Sequence, residues 1–155
     1  MSVTDLPPGI DADAVTGWLS ARVPSLAPPL AFSLIAGGHS NLTYEVTDAA
    51  GGHWVLRRPP LGHVLATAHD MGREHRIISA LQDTDVPVAP VVGLSPDDSV
   101  NGAPFYVMEF VGGRVLWDQT LPGMSPAQRG AIYDEMNRVI AALHRVDTRG
   151  ALADY

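Results

Sequence analysis

A glutamate on the apolar side of a predicted helix is the residue whose position most clearly indicates chemistry. Three apolar residues occur at helical spacings that run through Glu74: Met71, Ile78 and Leu81. The carboxylate is therefore expected on the apolar face of its helix. Such a group needs a partner, because leaving a charge unpaired in an apolar setting costs several kcal/mol.

Arg57 is the cation that we expect to meet this carboxylate. It lies in a predicted strand from His53 to Arg58, where alternation puts Val55 and Arg57 on one face and Arg58 on the other. We therefore predict an ion pair between Arg57 and Glu74. The alternative is that Glu74 only extends into solvent at the rim of its helix.

A turn with paired glycines precedes this strand and could bind an anion. Gly37 and Gly38 are followed by Ser40 and Asn41, between an incoming and an outgoing predicted strand. Glycines allow backbone N–H groups to converge on an anion, and the Ser40 hydroxyl can add a donor. The alternative is a tight turn that binds nothing.

The rest of the pattern supplies the elements that would position these groups. Strands are predicted at Leu30 to Ile35, Leu42 to Thr47, His53 to Arg58, Val91 to Leu94 and Pro104 to Phe110. Helices are predicted after a cap at Asp11 or Asp13, from about His69 or Asp70 to Leu81, and from Ser125 to about Arg145. This order indicates an α+β fold.

Composition excludes several classes of protein. The 155 residues, 46% of them hydrophobic, can bury a core as one domain, or as one domain and the start of another. The net charge of −7 argues against a non-specific nucleic-acid binder, and the lack of cysteine excludes disulfides. No apolar run approaches the roughly 20 residues that span a bilayer, and the start does not resemble a signal peptide. We expect a cytoplasmic protein with no membrane or nucleic-acid partner.

Four motifs in a fixed order make the sequence resemble a known family. Residues 37–44, 55–60, 68–76 and 104–114 resemble the aminoglycoside phosphotransferase (APH) family, and look closest to the branch that in some proteins is fused to acyl-CoA dehydrogenase modules. The resemblance implies a protein-kinase-like N-terminal lobe, with about five antiparallel strands and a helix. It divides the chain into an N-terminal helical segment (1–28), a nucleotide-binding small lobe (29–111), and the hinge with the start of the large lobe (112–155).

The resemblance also implies which residues surround a nucleotide: Gly37, Gly38, Ser40, Asn41, Val55, Arg57, Glu74, Met108, Glu109 and Val111. The glycine turn would cover the phosphates, and Arg57, oriented by Glu74, would take the place usually held by a lysine. Val55 would cover the adenine, Met108 would stand behind it, and the backbone of Glu109 and Val111 would contact its edge. The cofactor would be ATP or GTP, with Mg²⁺ in the complete protein.

Catalytic and metal-binding residues are not assigned within this chain. Members of the family carry the catalytic Asp, a downstream Asn and a metal-binding Asp in the large lobe, beyond the equivalent of Tyr155. His144 is interpreted instead as a packed histidine at the end of the last helix, and Asp147 and Asp154 as capping or solvated residues. The chain alone is therefore predicted to be inactive.

Two functions remain open from the sequence. The chain is either the nucleotide-binding lobe of an ATP- or GTP-dependent kinase acting on a hydroxyl of an unknown small molecule, or a non-catalytic nucleotide-binding or oligomerisation module. The acceptor could be an aminoglycoside, a choline-like alcohol or a hydroxyacyl-CoA. An apolar stripe on the last helix, formed by Ile132, Met136, Val139, Ile140 and Leu143, predicts that the isolated chain forms a homodimer, swaps this helix or aggregates.

Overall fold

The chain folds into an antiparallel sheet with helices on both sides. The computed structural model describes residues 6–35, 41–62, 69–150 and 152. In chain order the described elements are α1 (Ala12–Ser20), β1 (Ala31–Leu34), β2 (Leu42–Thr47), β3 (His53–Arg58), α2 (Met71–Leu81), β4 (Val91–Ser95), β5 (Phe105–Glu109) and α3 (Pro126–His144).

The sheet contains five strands in the order β1-β2-β3-β5-β4, and each neighbouring pair is antiparallel. This confirms the predicted antiparallel sheet. The turn between β2 and β3 is held by Asp48, whose carboxylate accepts hydrogen bonds from the backbone N–H groups of Ala27 (2.9 Å), Ala50 (2.9 Å) and Gly52 (2.7 Å). These donors lower the pKa of the Asp48 carboxyl, the bond from Ala27 most of all.

One face of the sheet packs against α1, which begins at the N-cap Asp11. Val15 and Leu19 of α1 are fully buried in one cluster with alternate residues of the strands, namely Phe32, Tyr44, Val46, Trp54, Leu56, Phe105 and Val107. The sequence predicted this helix after a cap at Asp11 or Asp13, but not that it would complete the core of the sheet. The N-terminal helix is thus part of the same hydrophobic unit as the strands.

The other face of the sheet carries α2. Asp70 caps this helix by accepting a hydrogen bond from the Arg73 N–H at 2.8 Å, and Leu81 is its last residue, as predicted. Successive side chains of a strand point to opposite faces of the sheet. Leu56 of β3 packs in the cluster with α1, so the next residue, Arg57, projects toward α2. The helix contacts β4 and β5, and Glu74 in its first turn reaches Arg57 near the end of β3 and Tyr106 near the start of β5.

The helix α3 lies outside the sheet, as predicted. Ser125 and Gln128 form a capping box at its start, with Pro126 in the first turn. Near its end, Ala142 is buried against Leu81 and Val86. None of the helices described here is long and apolar enough to cross a membrane.

Candidate functional site

The predicted ion pair between β3 and α2 is present. Arg57 Nε donates to Glu74 Oε2 at 2.9 Å. The strand register places Arg57 between Thr43 of β2 and Tyr106 of β5, while the Asp70 cap fixes the turn of α2 that carries Glu74. The two side chains are 32% and 29% exposed, so the pair is only partly shielded from water. The alternative in which Glu74 extends alone into solvent is wrong.

The Glu74 carboxylate has two more partners, and both of its oxygens are engaged. Asn41 Nδ2 donates to Oε1 at 2.7 Å, and the Tyr106 hydroxyl donates to Oε2 at 3.2 Å. The Asn41 Oδ1 atom lies 2.7 Å from His69 Nδ1. Since Asn41 uses its N–H group on Glu74, Oδ1 accepts and the His69 Nδ1–H donates. The carboxylate is thus held by Asn41, which directly precedes β2, and by residues of β3 and β5.

Tyr106 is a site residue that sequence reasoning missed. It is almost completely buried, and burial, followed by the negative charge of Glu74, raises the pKa of its hydroxyl far above the usual value. The phenol therefore stays protonated and acts as a donor to Glu74. Its alternation with Met108 along β5 was visible in the sequence, but the strand pairing that brings it next to Arg57 was not.

The residues expected around an adenine lie on one part of the sheet. Val55 is buried and pairs directly with Met108 on the neighbouring strand, on the same face as Arg57. Glu109 ends β5, and its N–H donates to the Pro90 carbonyl at 2.8 Å. A contact from the Glu109 backbone to a ligand would therefore have to come from its carbonyl. Val111 follows the strand and is 66% exposed.

Only the last residue of the predicted phosphate turn can be located. Gly37, Gly38 and Ser40 lie outside the described residues. Asn41 is described, and its side chain is buried, 7% exposed, with both amide atoms directed to Glu74 and His69. One N–H of its amide and its carbonyl oxygen are thus already used within the protein.

The acidic residues after α3 form no candidate metal site in the described part of the chain. Asp147 binds Arg149 at 2.9 Å at the surface, and this contact lowers the pKa of the Asp147 carboxyl. His144 is the last residue of α3 but is exposed, so the prediction that it packs is wrong. Asp154 lies outside the described residues. Within the described ranges, no three His, Asp or Glu side chains converge as metal ligands would.

Comparison with known proteins supports the motif-based resemblance. Residues 31–155 match the model of the phosphotransferase enzyme family, APH. Acyl-CoA dehydrogenase family member 10 of Mus musculus is 43% identical over 76% of this chain, which spans 11% of that protein. The probable acyl-CoA dehydrogenase IBR3 of Arabidopsis thaliana is 36% identical over 88% of this chain, which spans 16% of that protein.

A solved structure shows the same arrangement of strands and helices. The crystal structure of a protein from Ralstonia eutropha, assigned to the aminoglycoside phosphotransferases, has a TM-score of 0.77 and 46% identity. The match covers 92% of this chain and 40% of that protein. Because a family match over most of the sequence agrees with this structural likeness, the chain belongs to the phosphotransferase enzyme family and has its protein-kinase-like fold.

Proposed function

We propose that this chain is the nucleotide-binding lobe of a small-molecule phosphotransferase, an ATP- or GTP-dependent kinase that acts on a substrate hydroxyl. The observation that carries the proposal is the ion pair between Arg57 and Glu74 across β3 and α2. It holds a cation beside the strand that follows the glycine turn, where a phosphate chain would need one. The family match supports phosphotransferase chemistry in general.

The geometry of Arg57 fits a phosphate ligand. Its Nε is bound to Glu74, and among the described residues no hydrogen bond from Nη1 or Nη2 is present. The planar guanidinium can therefore be oriented by the carboxylate while its terminal nitrogens stay available for phosphate oxygens. Arg57 is in this view the phosphate contact and Glu74 the residue that orients it.

The neighbouring apolar surface fits a nucleobase. The paired residues Val55 and Met108 are apolar and lie on the Arg57 side of the sheet, and the backbone of the exposed Val111 can contact the base edge. Gly37, Gly38 and Ser40 would cover the phosphates. The bound nucleotide, with Mg²⁺ in the complete protein, would supply the phosphoryl group to be transferred, and residues outside this chain would hold the metal and the acceptor.

The domain limits and the acceptor belong to the same proposal. We assign the small lobe to residues 29–111 and the hinge with the start of the large lobe to 112–155, and we add that α1 from the first segment (1–28) completes the small-lobe core. The protein is proposed to act in the cytoplasm. Aminoglycosides, choline-like alcohols and hydroxyacyl-CoA remain the acceptor classes to test.

Calorimetry on the complete protein tests this function. Wild type is expected to bind ATP or GTP in the presence of Mg²⁺, and Arg57→Ala is expected to weaken that binding at least tenfold. A comparison of the two nucleotides decides between them, and transfer from the γ-labelled nucleotide to the three acceptor classes tests the reaction. Absence of nucleotide binding by the wild-type protein would overturn the proposal.

A second candidate function is a non-catalytic oligomerisation module derived from the same lobe. The exposed apolar side chains of α3 favour it, because Met136, Ile140 and Leu143 are each about half exposed (52%, 48% and 49%). Stable self-association of the complete protein, without phosphoryl transfer to any acceptor, would favour this alternative. Phosphoryl transfer would exclude it.

A further inference from the structure

The Glu74 carboxylate is the meeting point of four separate segments. It belongs to α2 and receives hydrogen bonds from Asn41 before β2, from Arg57 in β3 and from Tyr106 in β5. Oε1 is taken by Asn41, while Oε2 is shared by Arg57 and Tyr106. Donors on both oxygens fix the rotation of a carboxylate as well as its position.

Asn41 connects the Glu74 carboxylate to His69. The residue is 7% exposed, and its amide joins Glu74 and His69 through two contacts of 2.7 Å. One Nδ2–H is used on Glu74 and the residue is buried, so the amide serves contacts within the protein rather than a ligand. Asn41 directly precedes β2, so these contacts fasten the start of that strand to α2.

Tyr106 supports the carboxylate from the opposite side. It is 1% exposed, and its hydroxyl has the Glu74 oxygen as its acceptor. A buried side chain of this kind does not reach a ligand on the surface of the sheet. Its effect on any ligand of Arg57 has to pass through Glu74.

We propose that Asn41 and Tyr106 are positioning residues, which act on the nucleotide only through Glu74 and Arg57. Asn41 fixes Oε1 and Tyr106 fixes Oε2, so that Oε2 is presented to Arg57 Nε and the guanidinium is oriented toward the phosphates. The assignment rests on the proposed nucleotide-binding function. It moves Asn41 from the set of direct nucleotide contacts to the set of residues that hold those contacts in place.

Double-mutant cycles with Glu74 test the proposal on the complete protein, with the Kd of MgATP or MgGTP from calorimetry as the readout. Asn41→Ala is expected to raise Kd about fivefold to tenfold, and Tyr106→Phe about twofold to fivefold, as loss of one positioning hydrogen bond allows. In a Glu74→Ala background, each change is expected to alter Kd less than twofold. Such non-additivity is the signature of residues that act through a common group.

Two buried residues on the other face of the sheet provide matched controls. Tyr44 is fully buried, and its hydroxyl donates to the Pro8 carbonyl at 2.6 Å. Asn101 is 5% exposed and accepts a hydrogen bond from the Asp11 N–H at 2.8 Å. Tyr44→Phe and Asn101→Ala are expected to lower the melting temperature while leaving the nucleotide Kd within twofold, because neither touches Glu74.

The outcomes separate this inference from the proposed function. If Asn41→Ala and Glu74→Ala weaken binding additively, Asn41 contacts the nucleotide itself and the inference is overturned. An unchanged Kd in both Asn41→Ala and Tyr106→Phe overturns it as well. If Asn41→Ala does not fold, Tyr106→Phe, which removes one oxygen atom, measures the same coupling. Failure of the wild-type protein to bind any nucleotide refutes the proposed function, and this inference with it.

Discussion

Replacing Arg57 by alanine removes the ion pair that joins β3 to α2, and with it the proposed phosphate contact. Glu74 is not left unpaired, because Asn41 and Tyr106 still donate to its oxygens at 2.7 and 3.2 Å. The loss is therefore one charge-assisted hydrogen bond of 2.9 Å, between side chains that are 32% and 29% exposed.

The magnitude follows from this partial exposure. Hydrogen bonds to charged groups contribute about 1.5–3 kcal/mol, whereas fully exposed ion pairs contribute about 0.2–1 kcal/mol. For a pair of intermediate exposure we expect a loss of about 1–2 kcal/mol in unfolding free energy. In a chain of this size that corresponds to a decrease in Tm of about 2–8 °C.

The effect on nucleotide binding is expected to be larger than the effect on stability. Arg57→Ala should raise the Kd for the nucleotide at least tenfold, because a charged phosphate contact is lost. Arg57→Lys should fall between wild type and alanine, since lysine keeps the charge but loses the planar fork. Calorimetry gives the affinities, and thermal unfolding of the same samples gives the stabilities.

Arg58→Ala serves as the control, because it is expected to lower stability without changing nucleotide binding. Arg58 lies on the other face of β3, as predicted, where it is 6% exposed and donates to the carbonyls of Gly9, Pro59 and Asn101. Its removal should cost more stability than Arg57→Ala and leave the nucleotide Kd within twofold. If Arg58→Ala weakens binding while Arg57→Ala is silent, the site lies on the other face and the reasoning is refuted.

Further outcomes follow from other parts of the molecule. The isolated chain should transfer no phosphoryl group and bind nucleotide poorly, which calorimetry and a transfer assay check. It should also self-associate through α3, so that Met136→Glu combined with Ile140→Glu shifts the mass from light scattering toward the monomer. Burial lowers the pKa of His75 from 6.5. Because the unfolded state binds this proton more readily, the free energy of unfolding decreases as the pH drops through about 6.5 toward the lower pKa of the folded state. His75→Gln should reduce this decrease in denaturant titrations. Gly52→Ala should cost about 1–3 kcal/mol in the same titrations, because a Cβ would lie 2.8 Å from Trp54 Cζ3.

Each of these outcomes has a matched control or a contrary result. Tight Mg²⁺-dependent binding by the isolated chain would contradict the fragment hypothesis. Asn137→Glu, also on α3, should leave the mass unchanged, and a monomeric wild-type chain at high concentration would remove the basis for self-association. A slope between pH 7 and 5 that His75→Gln does not alter would exclude His75 as its source. Gly130→Ala, where a Cβ meets no atom within 4 Å, should cost little or stabilise α3.

Local patterns in the sequence were sufficient to predict the ion pair between Arg57 and Glu74. The helical spacing around Glu74 and the alternation along β3 each depend on a few neighbouring residues, and together they predicted the contact with Arg57. The same alternation predicted that Arg58 lies on the opposite face. The cap at Ser125 was predicted for the same reason, since capping is local. Asp11 and Asp70 were each one of two predicted starts, with Asp13 and His69 as the alternatives. The nucleotide-binding roles came from the resemblance and remain proposals.

The tertiary structure decided which other groups surround Glu74 and where α1 packs. Tyr106 reaches the carboxylate because β5 pairs with β3, and Asn41 because the start of β2 lies beside α2. The helical and strand periodicities of the sequence predict neither contact, because each contact joins segments that are distant in the chain. The burial of Arg58 against Gly9 has the same origin, since it depends on the N-terminal segment crossing the end of β3. The sequence alone determined the periodicities and faces of each element, while the pairing of distant strands decided which faces meet.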